Sequence, residues 1–133
     1  MKNLPKYLFV CTENACRSQM AEGLFNHLTK KAIAQSAGTS PVAIHPLAIE
    51  VMRERGIDLT NYKAKLITPE LAQTAVKVIT MGCLDGCPFT SAKKTLEWDI
   101  PDPKGKPKEF FIKVRDLLEE KIKQLLQTEN LIS

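Results

Sequence analysis

Two spacings of apolar residues alternate along this chain. Lys6 to Cys11 carries an unbroken aromatic and aliphatic run, Tyr-Leu-Phe-Val, the pattern of a buried strand. From Arg17 to Lys31 the spacing lengthens, with Met20, Leu24, Phe25 and Leu28 recurring at three and four residues, which predicts a helix. Ala32 to Ala37 predicts a second short strand, stopped by Gly38-Thr39-Ser40-Pro41. Pro46 opens the next predicted helix, which carries Leu47, Ile49, Val51 and Met52 and ends at Gly56. Ile57 to Leu66 reads as a polar connection. Thr68 is placed as N-cap of a short helix that starts at Pro69 and reaches about Ala75. Val76 to Met81 is the third predicted strand, Gly82 to Pro88 a turn-rich segment, and Leu96 to Trp98 the fourth strand. Prolines make Asp99 to Pro107 a loop, and Lys108 to about Gln127 a long amphipathic helix with Phe111, Val114, Leu118, Ile122 and Leu125 on one side.

Strands alternating with helices are the pattern of βαβ units. The expectation is an α/β fold, one domain spanning residues 1–133, with a four-stranded parallel sheet and helices on both faces. A chain of 133 residues buries a core without covalent staples, so its cysteines are free for chemistry. No repeat and no linker divides it. In such sheets ligands bind beyond the carboxyl ends of the strands. Cys11, Gly82-Cys83 and the Asp99 to Asp102 loop each follow a predicted strand, so three distant segments are expected on one rim.

Charge and composition narrow the partners. Nineteen basic and 15 acidic residues leave a formal charge of +4, which suits a small anionic substrate. The lysine clusters at Lys30-Lys31, Lys93-Lys94 and Lys104 to Lys108 are not interleaved with aromatic residues, which argues against a nucleic-acid partner. No apolar run approaches the ~20 residues of a membrane helix. With four cysteines and a start, Met1 to Lys6, that runs straight into the first strand, a reducing, cytoplasmic location is expected. A monomer is expected.

Chemistry enters at Cys11-Thr12-Glu13-Asn14-Ala15-Cys16-Arg17-Ser18. A cysteine at a strand end, five intervening residues and an arginine opening a helix place a nucleophile at an anion-binding turn. Backbone N–H groups converge there, the helix start adds partial positive charge, and the arginine fork clamps two oxygens. The same field favours thiolate over thiol. Cys11 is therefore the candidate nucleophile and Arg17 the clamp, with Thr12, Glu13, Asn14, Ala15, Cys16, Arg17 and Ser18 forming the oxyanion cradle. Ser18 is expected to donate a hydrogen bond to the sulfur or, more plainly, to satisfy a free N–H at the helix start. Asn14 is assigned to loop architecture and Cys16 to a small buried thiol. Asp102, stiffened by Pro101 and Pro103, is the candidate acid that protonates a leaving oxygen, with Asp99 its competitor and a plain turn as the alternative for both.

Cys83 and Cys87, three residues apart with Gly86 between, can approach each other without large backbone strain. Hydrolysis at phosphorus needs no such pair. A nucleophilic cysteine that has passed electrons on does, because it is regenerated by thiol exchange. A zinc site from all four cysteines is the alternative, and the four-residue gap between Cys11 and Cys16 with Arg17 beside it does not suit it, so no metal is expected. His27 and His45 lack partners at ligand spacing and are expected on the surface or at a cap.

The stretch Cys11 to Gly23 resembles the phosphate loop of thioredoxin-coupled arsenate reductases, which share the low-molecular-weight protein tyrosine phosphatase fold. Ser36-Ala37-Gly38, His45-Pro46-Leu47-Ala48-Ile49, Gly56-Ile57-Asp58, Thr80-Met81-Gly82-Cys83 and Trp98 through Pro103 extend the resemblance over almost the whole chain. The resemblance implies that Cys11 attacks arsenate, Cys83 attacks Cys11 to release arsenite, and Cys87 closes a disulfide with Cys83 that thioredoxin or a similar thiol donor reduces, with no bound cofactor. It implies Arg17 on the oxyanion and Asp102 as acid. Glu13 stands where that family usually has glycine, bringing a negative side chain to the border of the anion site. Some members bind potassium through residues matching Asn14, Glu22, Ser36 and an aspartate; Lys65 takes the aspartate's place and is expected to replace the ion with its own charge. The alternatives are a tyrosine phosphatase hydrolysing aryl phosphates, with residual phosphatase activity compatible with the reductase too, and a non-catalytic redox or anion sensor.

Overall fold

The computed structural model describes residues 4–82 and 92–132. Cys83 and Cys87 lie outside the described residues. The elements are β1 (Lys6–Cys11), α1 (Arg17–Leu28), β2 (Ile33–Gly38), α2 (Pro46–Arg53), α3 (Pro69–Thr74), β3 (Lys77–Thr80), a 3-10 turn (Ala92–Lys94), β4 (Thr95–Glu97) and α4 (Lys108–Thr128). The strands form a four-stranded sheet in the order β2-β1-β3-β4, every pair parallel. β1 is interior, pairing Lys6–Cys11 with Ile33–Gly38 on one side and Tyr7–Val10 with Lys77–Thr80 on the other.

Alternation along β1 divides the core. Tyr7, Phe9 and Cys11 pack in the larger cluster with Met20 and Phe25 of α1, Met52 of α2 and Phe111 and Leu118 of α4. Leu8 and Val10 join the smaller cluster of Ala37, Ile67, Ala75 and Val78, against which Leu71 of α3 packs. Helices therefore cover both faces, and a strand buried on both faces is written as a continuous apolar run. Among the described residues no helix is long and apolar enough to cross a membrane.

The boundaries of several elements differ from expectation for identifiable reasons. α1 stops at Leu28 because Thr29 turns extended, its hydroxyl donating to the Leu131 carbonyl at 2.6 Å and accepting the Lys31 N–H at 3.1 Å. The polar connection from Ile57 to Leu66 is a core-forming segment: Ile57 and Leu59 are buried, and Leu66 bridges to Gly38 beside the sheet. Gly23 lets α1 sit on that segment, since a Cβ there would meet Ile57, Leu59 and Met52 at 3.0 to 3.2 Å. The caps follow the sequence. Thr68 Oγ1 accepts the Leu71 N–H at 3.1 Å, and His45 Nδ1 accepts the Leu47 N–H at 3.1 Å while its ring packs on Phe111.

Candidate active site

Cys11 ends β1 and Arg17 begins α1, so the loop between them is a strand-to-helix joint at the carboxyl edge of the sheet. The carbonyls of Thr12, Glu13 and Ala15 accept the N–H groups of Ser40, Val42 and His45 at 2.8, 3.0 and 3.0 Å. Engaging these carbonyls with N–H groups of the loop after β2 offsets oxygens that would otherwise repel an anion. That bracing requires close approach. A Cβ on Gly38 would stand 2.6 Å from the Thr12 carbonyl oxygen and 2.9 Å from the Asn14 nitrogen.

Asn14 holds the loop from inside, as predicted. It is fully buried with φ of 51°, a left-handed conformation that asparagine tolerates. Its Oδ1 accepts the Lys65 N–H at 2.8 Å and Gln19 Nε2 at 2.9 Å, and its Nδ2 donates to Ser18 Oγ at 2.7 Å. Ser18 Oγ lies 2.9 Å from Cys11 Sγ. Because Asn14 donates into the Ser18 oxygen, the hydroxyl proton is free for the sulfur. No side chain caps α1 at Cys16, so the helix-cap alternative for Ser18 gives way to this contact. Gln19 also donates to the Lys63 carbonyl at 3.1 Å, while its Oε1 is the one buried side-chain polar atom without a partner among the described residues.

A cavity of about 20 Å³ lies over the sulfur, lined by Cys11, Thr12, Glu13, Ala15, Cys16, Arg17 and Asp102. Of the residues that the sequence assigns to the cradle, Asn14 and Ser18 lie behind this lining, fully buried, and Asp102, with no contribution from Asp99, reaches it. Arg17 is buried. Its Nη1 donates to the Ile100 carbonyl at 3.0 Å, and its Nη2 faces Asp102 Oδ2 at 3.6 Å. Behind the guanidinium lies Gly82, with φ of +79° and so close that a Cβ would stand 2.5 Å from Arg17 Nη1. Thr12 Oγ1 donates to the Gly82 carbonyl at 3.5 Å. Cys16 is a buried thiol whose pKa burial pushes up to about 12, with the nearby charges of Asp102 and Cys11 adding to the shift. It stays protonated at neutral pH, in keeping with its expected role.

Glu13 does not stand alone at the border. Lys104 Nζ donates to its Oε1 and Oε2 at 2.8 and 2.7 Å. The Glu22 carboxyl accepts the Ser36 hydroxyl at 2.7 Å and feels the charge of Lys65. Burial holds Glu22 above the usual carboxylate range, and Ser36 and Lys65 oppose that rise. Asn14 Oδ1 is already taken by two N–H donors.

Gly82 and Ile100 lie in segments that the sequence places on the rim, whereas sequence reasoning gives Lys104 and Gln19 no part in the site. Only Lys104 left a signal: a cation two residues after Asp102, opposite in charge to Glu13.

The description of the low molecular weight phosphotyrosine protein phosphatase family matches residues 6–131. An arsenate reductase of Bacillus licheniformis is 38% identical over 130 residues, covering 90% of this chain and 94% of its own. The solved thioredoxin-dependent arsenate reductase of Corynebacterium glutamicum superposes with a TM-score of 0.82 at 32% identity, covering 96% of this chain; this chain spans 62% of that protein's length. A low molecular weight protein tyrosine phosphatase from T. tengcongensis superposes with a TM-score of 0.82 at 33% identity, covering 93% of this chain and 99% of its own. A match of this extent, on a parallel sheet whose first strand ends in the cradle cysteine, places the chain in the low molecular weight phosphotyrosine protein phosphatase family.

Proposed function

We propose that this chain reduces arsenate to arsenite through Cys11, Cys83 and Cys87. The observation that carries the reading is Gly82. Its backbone packs on Arg17 and Thr12 at the cradle, and the next residue in the chain is Cys83. A hydrolase has no use for the pair Cys83 and Cys87, whereas a thiol relay depends on it.

Arsenate binds over the N–H groups of residues 12–17 with Arg17 turned onto two of its oxygens. The Cys11 thiolate, holding the Ser18 hydroxyl, attacks arsenic, and an oxygen leaves as water with a proton from Asp102. The Cys83 thiolate then attacks the Cys11 sulfur. An S–S bond forms, the As–S bond breaks, and arsenic keeps the electron pair and leaves as arsenite. Cys87 attacks Cys83, closing the Cys83–Cys87 disulfide and freeing Cys11 as thiolate. A dithiol donor, thioredoxin or a similar one, reduces the disulfide, so that each turnover consumes two electrons and no bound cofactor is needed. The reading fits a monomeric single-domain protein of the cytoplasm, where such donors keep thiols reduced.

The test is arsenite release with thioredoxin, thioredoxin reductase and NADPH, together with mass spectrometry after one arsenate turnover without reductant. A Cys83–Cys87 bridge in the native chain and loss of turnover in Cys83→Ser are expected. Normal turnover in Cys83→Ser sinks the relay. Aryl phosphate hydrolysis that survives that substitution, with no arsenite released, points to a phosphatase instead.

A further inference from the structure

Four charged side chains stand around the cradle, and the chemistry proposed above uses only two of them. Arg17 and Asp102 face each other at 3.6 Å, and Glu13 and Lys104 form the second pair at 2.7 Å. Lys104 joins the pairs, because its backbone N–H donates to Asp102 Oδ1 at 3.0 Å. The contacts close a circuit from Glu13 to Lys104, to Asp102, to Arg17 and back through the loop backbone. Three of these four residues line the cavity over Cys11. The position of Lys104 is set by a tight turn in which the Lys106 N–H meets the Pro103 carbonyl at 2.9 Å.

An ion pair with side chains 54% and 31% exposed adds little to stability. Its weight here is electrostatic. A lone carboxylate in the wall of an oxyanion site repels the ligand, and more strongly the higher the ligand's charge. The hydrogen bond to Glu13 raises the Lys104 pKa above its ordinary value, so the ammonium stays charged throughout the neutral range.

We propose that Lys104 is a substrate-positioning residue: its ammonium neutralises Glu13 beside the cradle while its backbone N–H aims the Asp102 carboxyl, so that the site accepts a doubly charged oxyanion despite an acidic wall. This rests on the oxyanion site at Cys11 and deepens it by assigning the cradle's charge balance.

The experiment measures how much inorganic phosphate half-protects Cys11 of the full chain from iodoacetamide, followed on the Cys11 peptide by mass spectrometry. Lys104→Met keeps the aliphatic stem and the backbone N–H and removes only the charge. At about pH 8, where phosphate is mainly the dianion, the half-protecting concentration is expected to rise about tenfold; at about pH 6, where the monoanion dominates, the rise is expected to be about threefold. Glu13→Gln combined with Lys104→Met is expected to return within about twofold of the native value. A loss that is absent, equal at the two pH values, or retained in the double variant overturns the proposal. The readout does not require arsenate turnover, and a native chain that phosphate does not protect at all removes the site itself, so failure of the reductase reading is separable from failure of this one.

Discussion

The two described cysteines differ in what surrounds the sulfur and hardly at all in exposure. Cys11 and Cys16 are 3% and 5% exposed. Cys11 meets a hydroxyl whose oxygen is already engaged by Asn14, whereas burial pushes Cys16 up to about 12. At neutral pH iodoacetamide is therefore expected to modify Cys11 and spare Cys16. Ser18→Ala removes the hydroxyl 2.9 Å from the Cys11 sulfur, an interaction strong enough to slow Cys11 alkylation about tenfold. Peptide mass spectrometry over a time course checks both, and an unchanged rate in Ser18→Ala would show that the hydroxyl does nothing for the nucleophile. At this scale the chemistry was legible in the chain because the nucleophile, clamp and hydroxyl lie within eight residues of one another. The contacts that tune them were not: Arg17 to Ile100 and Glu13 to Lys104 join residues 83 and 91 positions apart, and no local pattern encodes such a meeting.

Among the elements, Lys94 of the 3-10 turn reaches the end of α3. Lys94 Nζ donates to the Ala72 and Ala75 carbonyls at 2.6 and 2.8 Å, satisfying acceptors that the end of α3 leaves open. Lys94→Met keeps the stem and removes these charge-assisted bonds, and the chain is expected to lose about 1 to 2 kcal/mol, read from urea unfolding. A loss under a few tenths would mean that water replaces the ammonium freely. The elements that periodicity reveals, β1 to α4, appear close to their predicted bounds. Those it does not reveal are the 3-10 turn, too short to carry a period, and the segment from Ile57 to Leu66, whose two deeply buried residues are masked by Asp58, Thr60, Asn61 and Lys63. Tertiary packing under α1, made possible by Gly23, decides the latter.

For the whole molecule, burial of Glu22 ties stability to pH. Its carboxyl is raised from the ordinary value of 4.5 by desolvation, so the folded chain holds this proton more tightly than the unfolded one. The contribution is fully present below the unfolded pKa and is lost as pH rises through the folded one. Glu22→Gln is neutral at every pH and lacks this dependence. Between about pH 4.5 and neutrality the native chain is expected to lose stability relative to Glu22→Gln, measured as the difference in urea midpoint. A difference that stays flat across that window would show that Ser36 and Lys65 fully offset the desolvation.

The place of β1 in the sheet has a kinetic consequence. The strand is paired on both sides through Val10, is covered on both faces, and ends in Cys11. Its amides are expected to exchange with solvent only on global unfolding, at the slow end of the molecule's range. The Cys11 sulfur is thus a stationary target. Any group that reacts with it must meet it at that fixed position.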